Sequence, residues 1–203
     1  MRKNLQELLD YNHTTTNRLD AFSDGVFAIV ITLLVLELHV PELTGGAVSE
    51  GLRQELIHLF PKFISFVVSF LYISIYWINH HQLFHYLKRS DRTLFWLNSF
   101  FLMCLTFIPF PTALIGSYPQ EPLAVICYGV AMMVTAISFV IMKAYIFSGS
   151  GLIDPTTSTP PVLFYIVAGP LLYLIAIFLA TTNTSAAIAI YIATPIIYIF
   201  ARG

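Results

Sequence analysis

Residues 17–38 read Asn17-Arg18-Leu19-Asp20-Ala21-Phe22-Ser23-Asp24-Gly25-Val26-Phe27-Ala28-Ile29-Val30-Ile31-Thr32-Leu33-Leu34-Val35-Leu36-Glu37-Leu38. The run is long and apolar enough to cross a bilayer, which takes about 20 residues as a helix, yet it opens with an arginine and two aspartates. Ionisable groups at membrane depth are costly and default to a functional or network role. Asn17 with Asp20 three positions on resembles a capping box, and the spacing predicts a helix that starts there.

The rest of the chain extends the same pattern. Of 203 residues, 57% are hydrophobic and only 10% charged, with a mean hydropathy of +0.77, whereas a soluble domain carries about 25% charged residues. This composition describes an integral membrane protein and excludes a soluble enzyme. A formal net charge of −1 gives no footprint for nucleic acid. Cys104 and Cys127 both lie in apolar segments, so neither a disulfide framework nor a CxxC metal pair is expected.

Six segments approach spanning length: 18–38, 63–84, 94–115, 123–142, 162–180 and 186–200. They are separated by turn chemistry at Pro41 with Gly45 and Gly46, at Lys88–Asp91, at Tyr118–Pro122, at Gly149–Pro161 and at Thr181–Ser185. With the N-terminus inside, the inner islands hold Arg2, Lys3, Arg18, Lys88, Arg89, Arg92, Lys143 and Arg202, and the outer ones only Arg53 and Lys62. Short cytoplasmic loops are enriched in Lys and Arg, so both termini are expected in the cytoplasm. No secretory signal is expected, since no small-residue cleavage pattern follows the first span before Pro41. Residues 1–17 form a cytoplasmic segment in this reading, and 18–203 a six-helix transmembrane domain.

Arg18-x-x-x-Phe22-Ser23-Asp24, followed by Gly-Val-Phe-Ala-Ile and Thr-Leu-Leu-Val-Leu-Glu, resembles the first-helix signature of the transmembrane-protein-175 family, whose animal members are endolysosomal potassium channels. One signature copy with six spans is similar to the single-repeat prokaryotic form. That resemblance implies an all-α homotetramer in the cell membrane whose pore is lined by the first helix. It also implies a potassium-selective channel with no catalytic activity and no cofactor, exchanging only monovalent cations. Large aliphatic rings stand in such a pore where a carbonyl filter would otherwise be. No TVGYG filter occurs in the sequence, and potassium preference rests on the resemblance.

Helical geometry can be set beside the family's pore positions. At about 100° per residue, Ile29, Leu33 and Leu36 fall within roughly 40° of one line, with Thr32 about 60° to one side. Four such helices would stack three hydrophobic constrictions, and Thr32 would add a hydroxyl able to replace part of an ion's water shell. On an arbitrary membrane helix the same stripe would face lipid or a neighbouring helix. Asp24 lies about 140° from Ile29 on this wheel and reads as a network residue. Arg18 is too far along the helix to pair with it, since only i,i+3 and i,i+4 neighbours face each other. The end of the second span and the start of the third place His80, His81 and Asn98 at a similar depth. A buried cluster of Ser23, Asp24, His80 or His81, and Asn98 is therefore expected to lock the inner ends of helices one to three.

Two rival readings use the same residues. His80, His81 and His85 form an HHxxxH pattern like pieces of a membrane di-iron histidine box, but the chain holds six histidines in all, too few for such a site. A coupled transporter could relay protons through Asp24 and Glu37; such folds commonly show repeats with interrupted helices, and no internal repeat is visible.

Overall fold

The computed structural model describes the backbone of residues 2–41, 48–148, 150–153 and 163–201, and the side chains of 16–41, 51–148, 150–153 and 169–200. Gly45, Gly46, Gly149, Pro161, Arg202 and the side chains of Arg2 and Lys3, named above, lie outside these ranges. The described chain is all-helical: α1 (Arg2–Val35), α2 (Val48–His85), α3 (Arg92–Phe107), α4 (Pro109–Ser117), α5 (Pro122–Phe147), α6 (Leu163–Ala180) and α7 (Thr184–Ala201). Among the described residues the β content is a single antiparallel bridge between Leu87 and Ile153. Gly51–His85, Arg92–Ser117 and Pro122–Phe147 are long and apolar enough to cross a membrane, and Gly169–Ala180 and Thr184–Phe200 are shorter apolar helices.

Two features differ from the sequence expectation, and a third is the break that Pro109 and Pro111 lead one to expect. First, α1 does not begin at Asn17: it starts at Arg2 and runs unbroken through Asn17 and Asp20. The stretch before Asn17 contains Leu, Gln and Glu with neither proline nor glycine, so nothing in it stops a helix. Second, α2 begins about four turns before the expected start at residue 63 and continues through Pro61. Third, the 94–115 span is two helices. Pro109 has no amide hydrogen to donate, and the ladder tightens at the break, where Ile108 N–H donates to the Leu105 carbonyl at 3.1 Å.

α1 packs on α2, α3 and the tip of α4, while α5 sits against α3, α4, α6 and α7 and α2 reaches α7. Because lipid is as apolar as leucine, packing and interhelical hydrogen bonds hold such bundles together. Ser69 on α2 hydrogen-bonds Thr112 on α4 at 2.8 Å and Tyr128 on α5 at 3.0 Å, all three buried. Tyr72 O–H donates to the Tyr191 carbonyl at 2.8 Å and Tyr198 O–H to Asn79 Oδ1 at 2.6 Å, tying α2 to α7. Between α3 and α5, one oxygen of Asp91 caps α3 at the Leu94 amide and the other accepts from Tyr145 O–H at 2.5 Å.

Gly129 has no room for a side chain. A Cβ at Gly129 on α5 would stand 2.1 Å from the hydroxyl of Tyr191 and 2.7 Å from Ile177, and that hydroxyl is held on the Val125 carbonyl. Gly129→Ala is expected to force Tyr191 off this carbonyl and to cost about 1–3 kcal/mol as an overpacked site. A lowered melting temperature of the detergent-solubilised protein checks this.

Candidate functional site

The two faces of α1 have different fates. Leu19, Ser23, Phe27, Val30 and Leu34, spaced by three or four residues, are buried against α2 and α3. On the other side the described residues leave much of the surface uncovered: Ile29 is 59% exposed, Leu33 40% and Leu36 63%. Thr32 and Phe22 are exposed beside them, and a Cβ added at Gly25 would meet no atom within 4 Å. The positions singled out as a pore line thus share a continuous face that the subunit leaves open.

The α-helix stops at Val35, and the next amides turn the chain by bonds three residues back, Leu36 to Leu33 at 3.1 Å and Leu38 to Val35 at 3.0 Å. The Thr32 hydroxyl donates its proton to the Ile29 carbonyl at 2.8 Å. Its oxygen lone pairs remain on the open face, the polarity a cation requires.

Behind this face lies a hydrogen-bonded chain across three helices. Ser23 Oγ lies 2.8 Å from the Leu19 carbonyl, which can only accept, so the hydroxyl donates there. It must then accept from Asn98 Nδ2 at 2.9 Å, which leaves Asn98 Oδ1 to face His80 Nε2 at 2.9 Å. His80 Nε2 therefore carries the proton. All three residues are fully buried. The imidazole stacks on Phe84 at 3.9 Å between ring centroids and lies 5.5 Å from Phe27 and 6.0 Å from Phe101.

Asp24 and His81 stand outside that chain, contrary to the cluster expected from depth alone. Ser23 and Asp24 are neighbours and point about 100° apart on the helix, so only one of them can face α3. Asp24 instead accepts from the indole N–H of Trp77 at 2.9 Å, and His81 stacks on the same indole at 5.9 Å. Sequence reading missed Trp77, although an indole N–H at membrane depth one turn before His80 was a signal that a polar acceptor is near. Arg18 is exposed and Phe22 lies on the open face, so neither joins the network.

The three histidines of the HHxxxH pattern diverge in the same way, His80 buried, His81 against Trp77 and His85 against Tyr86. Among the described residues no group of three His, Cys, Asp or Glu side chains is placed to hold a metal.

Comparison with known proteins gives the chain's family. A family model described as the endosomal/lysosomal potassium channel TMEM175 matches residues 18–109, which include α1 from Arg18 onward, the network and the whole of α3. A Streptomyces collinus protein named a potassium channel is 40% identical over 149 residues, 71% of this chain and 71% of its own length. A Chamaesiphon minutus protein, also named a potassium channel, is 44% identical over 127 residues, 61% of this chain and 62% of its own. The fold superposes on the crystal structure of a lysosomal potassium-selective channel TMEM175 homolog from Chamaesiphon minutus with a TM-score of 0.81 at 34% identity, covering 93% of this chain and 98% of that one. With identity of this order spread over most of both chains, and with the signature residues on the open helix and its network, this chain belongs to the TMEM175 family of potassium channels.

Proposed function

We propose that four copies of this chain surround a potassium-selective pathway lined by α1, with rings of Ile29, Leu33 and Leu36 as the constriction and Thr32 at its narrow level. The protein is then a channel and not an enzyme. Its partners are its own copies, the lipid bilayer and monovalent cations, and it needs no cofactor beyond the permeant ion. The observation that carries the reading is the open face of α1. Large aliphatic residues at pore spacing stand free while the opposite face of the same helix is fully packed. One such helix cannot enclose a path, but a ring of four can.

Six spans with both termini on the cytoplasmic side of the cell membrane complete the proposal, supported by the bias of Lys and Arg toward the inner islands. The chain Ser23–Asn98–His80 holds the back of α1 on α2 and α3 and leaves its front partly uncovered. A channel with this architecture gives unitary currents with no saturating coupling partner, whereas a transporter would need one.

Native mass spectrometry of the purified protein is expected to give a tetramer. Bi-ionic reversal potentials in planar bilayers are expected to favour potassium over sodium. A conducting monomer would remove the pore model.

A further inference from the structure

The first third of α2 has no place in the pore, the network or the helix bundle. α2 holds 38 residues and spans about 57 Å at 1.5 Å per residue, nearly twice the roughly 30 Å hydrocarbon thickness. Residues 63–84 alone match that thickness, and Lys62 sits at their boundary. The helix therefore projects past the bilayer at the end of the bundle where α1 finishes. Leu52 stands ten residues beyond Lys62, about 15 Å further along the axis. Headgroups add only about 5–8 Å on each side, so a helix standing upright with Lys62 at the hydrocarbon edge carries Leu52 beyond lipid.

This projecting segment is nonetheless apolar on one side. Leu52, Leu56, Phe60 and Phe63 are exposed and Leu59 partly so. Leu52, Arg53, Leu56, Ile57, Phe60 and Pro61 line an open groove. At 100° per residue Leu52, Leu56, Leu59, Phe60 and Phe63 fall within an arc of about 100°. Arg53 and Glu55, both exposed, flank that arc on opposite edges, each about 80° from its centre, and differ by about 3 Å in height.

We propose that residues 51–63 form an assembly stalk that packs against the same segment of neighbouring copies of this chain. In a parallel ring the right edge of each helix meets the left edge of the next, so Arg53 of one copy faces Glu55 of its neighbour at nearly equal height. The apolar stripes close inward, as core positions do in a parallel coiled coil with flanking charges choosing the partner. The stalk rests on the four-fold assembly proposed above. It adds an interface outside the membrane, where burying apolar surface drives association in a way lipid cannot.

The test is disulfide trapping in the full-length protein in lipid vesicles, with Leu56→Cys added to a Cys104→Ser/Cys127→Ser background. Oxidation is expected to give a covalent dimer as the main product. Arg53→Glu or Glu55→Arg alone is expected to remove most of it through like-charge contact, and the two together to restore it. A tetramer by native mass spectrometry that forms no disulfide, with a bimane label at position 56 quenched by doxyl-labelled lipid, overturns the stalk in favour of lipid contact and leaves the pore reading intact. Equal trapping in all charge variants overturns the Arg53–Glu55 pairing. A monomer overturns the four-fold reading and the stalk together.

Discussion

Ile29→Asn is expected to raise the resting current on the order of tenfold, because lowering the barrier at the constriction by about 1.4 kcal/mol suffices for that factor. In the proposed pore a ring of isoleucines would bind no cation and would close by emptying of water. Asparagine keeps a similar reach but supplies amide donors and acceptors that hold water in the ring. A hydrated ring also strips less water from the ion, so the preference for potassium over sodium is expected to fall toward parity. Ile31→Asn serves as the control: Ile31 lies about 160° from Ile29 on the wheel and packs against the buried core. Planar-bilayer recordings in which Ile31→Asn acts as strongly as Ile29→Asn, or in which neither acts, place the pore elsewhere.

The second large effect concerns the buried chain. Asn98→Ala removes the acceptor for His80 Nε2–H, and His80 Nδ1 already has no hydrogen-bond partner among the described residues. The imidazole is then left with no hydrogen bond inside a cage of Phe27, Phe84 and Phe101. Ser23 fares better, since it still donates to the Leu19 carbonyl. An unsatisfied buried donor costs about 1–3 kcal/mol, while interhelical hydrogen bonds in membranes average nearer 0.6 kcal/mol by double-mutant cycles. The upper part of the range is expected here because the site is dry and caged. Asp24→Ala loses the exposed bond to Trp77 and is expected to cost less. Thermal unfolding of the two variants in detergent ranks them, and a larger loss for Asp24→Ala would make that carboxylate, not the asparagine, the keystone.

Much of this was readable from residue types and period. The open and packed faces of α1 follow from the spacing of Ile29, Leu33 and Leu36 against Phe27, Val30 and Leu34, and the break at Pro109 follows from its missing amide. Depth alone gathered Ser23, His80 and Asn98 as candidates but also Asp24 and His81, which stand outside the hydrogen-bonded chain. Which of two adjacent residues faces the neighbouring helix was not legible. That depends on the rotation of α1 about its axis to within about half the angle between Ser23 and Asp24, and only packing sets it. The length of α2 was hidden for another reason. Residues 51–62 mix Arg53, Gln54, Glu55 and His58 with their leucines, so their polarity reads as a loop while their spacing is helical.

The central claim is that α1 lines the conduction path, and cysteine accessibility along it tests this most directly. Single cysteines at Ile29, Leu33, Ile31 and Val35, in the Cys104→Ser/Cys127→Ser background, are exposed to a thiol-reactive cation during single-channel recording. Val35 is 48% exposed but about 120° off the pore line, so exposure alone does not make it reactive with the permeant stream. The account predicts abrupt, complete block at positions 29 and 33 and continued conduction at 31 and 35. Block at 31 or 35 with conduction unaffected at 29 and 33 would contradict it.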